Sequence, residues 1–122
     1  HGITCTLNYQ KSILVDDISV CTHIYYIVHE AIHNAIKHGQ AENIDIDLLY
    51  DNNVVTIKIR DDGTGISHDE IPHGMGLKIM NFRANMIGAD LQIVSNPGDG
   101  TLVTLSFKYH VSRQGTALSR KQ

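Results

Sequence analysis

Residues 44–61 read IDIDLLYDNNVVTIKIRD. Ile44, Ile46, Leu48 and Tyr50 fall on one parity and Asp45 and Asp47 on the other. Such alternation marks a half-buried strand, since successive side chains point to opposite faces. Asp51-Asn52-Asn53 reads as a turn, and Val54 to Asp61 alternates again with Val55, Ile57 and Ile59 facing one way. Two alternating runs joined by a short turn of this composition predict a β-hairpin.

Outward from the hairpin the period changes. Upstream, Ile3 to Tyr9 alternates loosely and reads as a strand, and Ile13 to Val15 is a short apolar piece. Asp16, Asp17 and Ser19 are candidate helix caps. From about Ile18 to His38, Val20, Ile24, Ile27, Ala31 and Ala35 form a helical stripe, and Gly39 is placed to stop the helix. Downstream, Leu77, Met80, Ala84 and Ile87 repeat at helical spacing from about Leu77, with Gly88 as the stop. Leu91 to Ser95 and Thr101 to Tyr109 read as strands around Asn96-Pro97-Gly98-Asp99-Gly100, with Val103, Leu105 and Phe107 inward. Several hairpin-linked strands and few helices predict an α+β two-layer sandwich: a mixed, mostly antiparallel sheet with helices packed on one face. Residues 1–110 are expected to form the domain and 111–122 a polar tail.

Composition narrows the function classes. The 122 residues are 42% hydrophobic and 19% charged, with a net charge of −3. That size supports one core without staples, and the charge gives no surface for nucleic acid or anionic membrane. Eight histidines make the balance depend on pH below neutrality. Cys5 and Cys21 have no metal-site spacing; they are expected to be free thiols of a reducing compartment, with a disulfide as the alternative. No apolar run approaches the roughly 20 residues of a membrane span, and no leader is expected. The chain reads as a cytoplasmic domain cut from something longer.

Three clusters carry chemistry. Asp61-Asp62-Gly63-Thr64-Gly65 ends the second hairpin strand. Asp61 shares the parity of Val55, Ile57 and Ile59, so its carboxylate points to the buried side. It either caps the glycine turn or reads an amino group of a ligand. Gly63 and Gly65 permit close backbone approach. Gly74-Met75-Gly76 precedes the helix expected from Leu77, whose N-terminus favours an anion, and Lys78 adds a cation. An ordinary flexible loop is the other reading. Neither loop is a P-loop or a dinucleotide-binding fingerprint.

The third cluster has two readings. His29-Glu30-Ala31-Ile32-His33 matches the zinc-hydrolase pattern, in which two histidines bind metal and the glutamate is the base. Glu30, Asn34 and Lys37 instead cluster within roughly 60° of one another beside the apolar stripe. His38 lies near the stripe centre. Asn34 offers a hard oxygen that magnesium accepts, Glu30 an acid–base group, and Lys37 a point charge for phosphate. His29 and His33 lie roughly 160–200° from the stripe centre, away from any cleft it lines.

Taken in order, Glu30-x-x-x-Asn34-x-x-Lys37-His38, Asp61-x-Gly63-x-Gly65, Gly74-x-Gly76-Leu77 and Gly98-Asp99-Gly100-Thr101 resemble a known ATP-binding domain. It is shared by sensor histidine kinases, type II topoisomerases, the mismatch-repair ATPase and a heat-shock chaperone. The resemblance covers roughly residues 2 to 109. It is strongest to the catalytic domain of bacterial two-component sensor histidine kinases with a short ATP lid, on the stretch from Gly74 to Phe107 (Gly-Met-Gly-Leu, Arg83-Ala84, Ile87-Gly88-Ala89, Ser95-Asn96-Pro97-Gly98 and Gly100-Thr101); only Ile66 to His73 separates the glycine loops. The resemblance implies that Asn34 coordinates magnesium, Glu30 activates the acceptor, and Lys37 and His38 lie near the phosphates. It implies that Asp61 accepts the adenine amino hydrogen with help from Thr101. Gly63, Gly65, Gly74, Met75, Gly76 and Leu77 would shape the ATP pocket. His29, His33 and Gly39 depart from the commoner pattern without touching these roles.

The implied enzyme is a protein histidine kinase that needs ATP and Mg. Its partners would be a phosphoacceptor-histidine dimerisation domain of the parent chain and a downstream response regulator. Because no helix pair precedes Ile3, the isolated chain is not expected to label itself. An anti-sigma-type serine kinase or regulatory ATPase of the same fold is the alternative, and the zinc hydrolase a remote one.

Overall fold

A computed structural model describes residues 2–9, 15–65 and 75–110, with Met75 described in its backbone only. Ile13, Gly74 and the 111–122 tail therefore lie outside the described residues. The elements run β1 (Thr4–Tyr9), α1 (Ile18–Lys37), β2 (Asn43–Asp51), β3 (Val54–Asp61), α2 (Met75–Met86), β4 (Asp90–Asn96) and β5 (Gly100–Lys108). They form a five-stranded sheet of order β1-β2-β3-β5-β4. β1 pairs with β2 in parallel and every other pairing is antiparallel. The α+β sandwich expected from the hydrophobic pattern is the observed architecture.

The hairpin sets the register for the rest. Asn52 and Asn53 both have positive φ (52° and 62°), the geometry of a two-residue turn whose twist suits the flanking strands. That turn pairs Tyr50 with Val55, Leu48 with Ile57 and Ile46 with Ile59, so both strands present their apolar parity to the same side. β5 continues the pattern, with Phe107, Leu105 and Val103 opposite Val55, Ile57 and Ile59. α1 and α2 cover this face. Ile27, Ala31 and Ala35 of α1 and Leu77, Met80 and Ala84 of α2 complete one core with the sheet residues. Arg83 ties the helices together, its guanidinium 4.1 Å from the centre of the Tyr26 ring and its Nη1 3.3 Å from Nδ1 of His23.

Cover stops short of β1. Cys5, Leu7 and Tyr9 sit in register beside Ile44, Ile46 and Leu48, yet Leu7 and Tyr9 are 60% and 57% exposed. Cys5 and Cys21 are both exposed free thiols, so the disulfide alternative is not formed.

Helix ends differ from expectation in three places. Asp17 is the N-cap, its Oδ1 accepting from the N–H of Ser19 (2.9 Å) and Val20 (3.3 Å). At the other end of α1 the left-handed residue is Gln40 (φ 55°), not Gly39. His38 is the C-cap and is exposed, although its αR backbone and its N–H bond to the Asn34 carbonyl still follow the helix. α2 begins at Met75, two residues before the sequence signal, so Gly76 lies inside the first helical turn rather than ahead of it. A glycine reads as loop in sequence, but its helical cost is small enough for the surroundings to override.

Candidate nucleotide site

At one end of the sheet, β3, β5 and β4 deliver Asp61, Thr101 and Ser95 side by side: Asp61 pairs with Thr101, and Thr101 with Ser95. Asp61 is only 9% exposed. Its Oδ1 accepts the N–H of Gly63 at 2.8 Å, and the Thr101 N–H also bonds to its carboxylate. Burial nevertheless dominates and pushes the Asp61 carboxyl above its ordinary range, the two backbone donors only partly offsetting it. Ser95 and Thr101 share a hydroxyl–hydroxyl hydrogen bond of 2.9 Å. The parity of Val55, Ile57 and Ile59 thus placed Asp61 on the correct face.

The neighbouring Asp62 has the opposite environment. It points outward and accepts from the N–H groups of Glu42 and Asn43 (both 2.9 Å) and from Nδ2 of Asn43 (2.7 Å). These bonds hold its carboxyl below the ordinary range. They also pin the glycine loop to the start of β2. Thr64 N–H donates to the Gly39 carbonyl (2.8 Å) and Gly98 N–H to the Thr64 carbonyl (2.7 Å), which fastens the loop on both flanks.

Gly63 is required by closeness. A Cβ on it would stand 2.5 Å from the Gly39 carbonyl oxygen. The end of α1 and the loop after β3 therefore touch backbone to backbone. Gly39 is itself buried, and a Cβ on it would stand nearest the Ala35 carbonyl oxygen of its own helix, at 3.0 Å.

Above this floor lies a narrow recess open to solvent. Asp61, Thr101 and Val103 of the sheet line it, with Asn34 of α1 and Leu77 of α2 at its sides. Ala31, Ala35, Gly39, Gly65, Met80 and Ile93 complete the wall. An apolar recess with a few convergent polar groups is the usual form of a small-molecule site.

Residues 20–111 match the model of the family described as histidine kinase-, DNA gyrase B-, and HSP90-like ATPase. The chain belongs to that ATPase family. It is an ATP-binding domain of the kind carried by sensor histidine kinases. It is 38% identical over 106 residues to the nitrate/nitrite sensor protein NarQ of Escherichia coli, which covers 84% of this chain and 19% of NarQ. It is 33% identical over 91 residues to the oxygen sensor histidine kinase NreB of Staphylococcus carnosus, covering 73% and 26%. The chain thus spans about a fifth to a quarter of the length of these relatives. The histidine kinase domain of a blue-light activated kinase from Erythrobacter litoralis superposes with a TM-score of 0.74 at 20% identity, over 88% of this chain and 52% of that one. The ATP binding domain of PrrB from Mycobacterium tuberculosis does so with 0.72 at 22%, over 87% and 79%. These two likenesses concern the fold.

Within this ATPase domain the expected site residues divide. Asn34, Asp61, Gly65, Leu77 and Thr101 line the cavity together. Gly63 is buried behind Asp61. Glu30 is half-buried and stands against Gly76, while Lys37 and His38 are exposed at the end of α1. Gly74 and the Met75 side chain lie outside the described residues. Ser95, read in the sequence only as part of the Ser95-Asn96-Pro97-Gly98 stretch, was given no site role. Counting back across the β4–β5 turn from Thr101 reaches it, since Asn96 pairs with Gly100 and Ser95 with Thr101.

The zinc reading fails on geometry. His29 and His33 are exposed, and His29 packs beside Tyr25 (5.8 Å between rings). Among the described residues no three His, Cys, Asp or Glu side chains converge on a metal position. No described helix is long and apolar enough to cross a membrane.

Proposed function

We propose that this domain holds Mg-ATP for phosphoryl transfer to a histidine carried on a dimerisation domain of its parent chain. The phosphoryl group would then pass to a response regulator. The observation that carries the reading is the buried Asp61 carboxylate, held by two backbone N–H groups at the floor of a recess between the sheet end and both helices. Such a group discriminates by accepting a hydrogen from an exocyclic amino group, because any ligand lacking that donor leaves the buried carboxylate worse paired.

Asp61 accepts the adenine amino hydrogen, and Thr101, steadied by Ser95, assists beside it. Gly65 and Leu77 flank the base, Gly63 backs the Asp61 carboxylate, and Gly74, Met75 and Gly76 serve the phosphate side. Lys37 and His38 stand where the α1 terminus meets the phosphates.

The donor set at Asn34 fits magnesium. It is a single amide oxygen at the cavity wall, and magnesium takes few protein ligands and completes its shell with phosphate oxygens and water. Bound there, the ion would neutralise phosphate charge. Glu30 is the acid–base group. It takes the proton of the acceptor imidazole while the other ring nitrogen bonds the γ-phosphorus. The bond to the bridging oxygen then breaks, its electron pair leaving with ADP. The parent protein is placed with this domain in the cytoplasm, and nucleic acid and direct membrane contact have no part in its chemistry.

Calorimetric titration of the chain with ATP in magnesium tests the reading. Saturable binding of ATP and at least about tenfold weaker binding of GTP are expected, since guanine presents an acceptor where adenine presents its amino donor. Absence of measurable ATP binding overturns it.

A further inference from the structure

α1 carries two exposed histidines that the nucleotide site does not use. His29 and His33 stand four residues apart in one unbroken helix, Ile18–Lys37. Side chains at that spacing share a face, about 5–6 Å apart at Cβ, and two imidazoles there can close on one ion. They project roughly opposite to the buried Ile27, Ala31 and Ala35. The Tyr25 ring, one turn earlier, lies 5.8 Å from the His29 ring at an interplanar angle of 33°, which limits how that imidazole swings. The neighbours in sequence face elsewhere. Asn34 lines the nucleotide recess, and Glu30 stands against Gly76 of α2. No third His, Cys, Asp or Glu side chain among the described residues joins the pair, so it is not the enclosed three-ligand centre of a hydrolase. Lys37 follows one turn beyond His33 and is exposed, which leaves its ammonium room to stay clear of an ion.

We propose that His29 and His33 form a surface site for one borderline divalent transition-metal ion, zinc or copper(II), with water filling its other positions. Imidazole nitrogen suits these ions, whereas magnesium prefers hard oxygen and keeps its water. α1 thus offers two metal chemistries on different sides: an amide oxygen toward the recess and ring nitrogens toward solvent. The two do not compete, and the surface site needs no nucleotide. An ion held by both rings clips one turn of the helix. It binds the helical form and not the unfolded chain in that geometry, so it adds to the stability of the folded domain. The ion does no chemistry there, because Glu30 is turned away from it.

The test is a calorimetric titration of the metal-stripped, untagged chain with zinc chloride in the absence of nucleotide, repeated with copper(II) and magnesium. Saturable zinc binding is expected, tighter for copper(II) and absent for magnesium. His29→Gln and His33→Gln should each weaken zinc at least about 100-fold, because each turns a two-point chelate into a single contact. Both side chains are exposed, so the melting temperature without metal should hold in both variants. Saturating zinc should raise the melting temperature of the parent and of neither variant. ATP affinity in magnesium should stay within about twofold in both, since the substituted residues and the recess share no partners. The Tyr25→His, His33→Gln double variant moves the pair one turn back along the helix, at a position 59% exposed. It should restore zinc binding to within about tenfold of the parent. Absence of zinc binding, binding that survives either single substitution, failure of the shifted pair to restore it, or an equal response to magnesium would each overturn the proposal.

Discussion

The two ends of the recess are built in different ways. The Asp61 end is a sheet terminus, where consecutive ladder partners bring Asp61, Thr101 and Ser95 together and backbone N–H groups hold the carboxylate. The Glu30–Asn34–Lys37 end is a helix edge, half-buried to exposed, where Glu30 and Lys37 carry several rotatable bonds. A base is a rigid plane with a fixed donor–acceptor edge, and a sheet terminus suits it. Phosphates and a hydrated metal arrive with their own geometry, so a helix edge with adjustable side chains suffices until they are bound.

Changes at the sheet end should therefore appear in affinity and stability, and changes at the helix edge in rate. The largest effect is expected from Asp61→Asn. Its amide turns a donor toward the adenine amino group and the backbone N–H groups, raising the ATP dissociation constant on the order of 100-fold by calorimetry. Gly63→Ala drives a methyl into the Gly39 carbonyl and should cost roughly 1–3 kcal/mol of stability, read from denaturant unfolding. Asn34→Asp should slow magnesium-dependent transfer about tenfold while nucleotide affinity without magnesium stays within about twofold; an equal loss in both would erase the distinction between the ends. Ser95→Ala removes the partner of the Thr101 hydroxyl and should weaken ATP binding by about 1 kcal/mol, some fivefold, with no separate effect on the rate.

The smallest effect is a slope. Because burial raises the Asp61 carboxyl above 3.8, the folded state takes up a proton that the unfolded chain does not bind in the window between that value and the raised one. Stability from this group thus grows as pH falls through the window. Asp62, held below 3.8 by its hydrogen bonds, acts oppositely: its contribution is present above 3.8 and is lost as pH falls below it. Melting temperatures of the parent and Asp61→Asn chains across acid pH should diverge with that sign, and parallel curves would show that Asp61 is not desolvated.

Much of this was legible in residues 44–61. Strict alternation and an Asn-Asn turn set the pairing, and parity alone turned Asp61 inward. Position along a helix was less legible. Gly39 and Gly76 both read as helix boundaries, whereas the structure brings each against a distant element: the Gly39 carbonyl meets the Gly63 loop, and Gly76 stands against Glu30. Contact between elements distant in sequence leaves no local periodic trace. His38 was expected near the stripe centre and is exposed, because a helical projection gives direction but not whether anything covers the last turn. Ser95 stood in the sequence only as part of the Ser95-Asn96-Pro97-Gly98 stretch, and its place beside Thr101 emerges only when the last hairpin is paired. Whether β1 was covered was equally invisible, since alternation reports an apolar parity but not what lies over it.

The hydrogen bonds around Asp61 leave a buried acid that folding alone does not reward. Neutral residues at such positions are often neutral or stabilising for the fold itself. A library of this domain selected only for surviving heat without nucleotide would thus be free to discard Asp61. The same library selected in saturating ATP would keep it, because a ligand bound only by the folded form adds its own free energy to stability. The residue's persistence under the two regimes would record what the domain is for without any assay of catalysis.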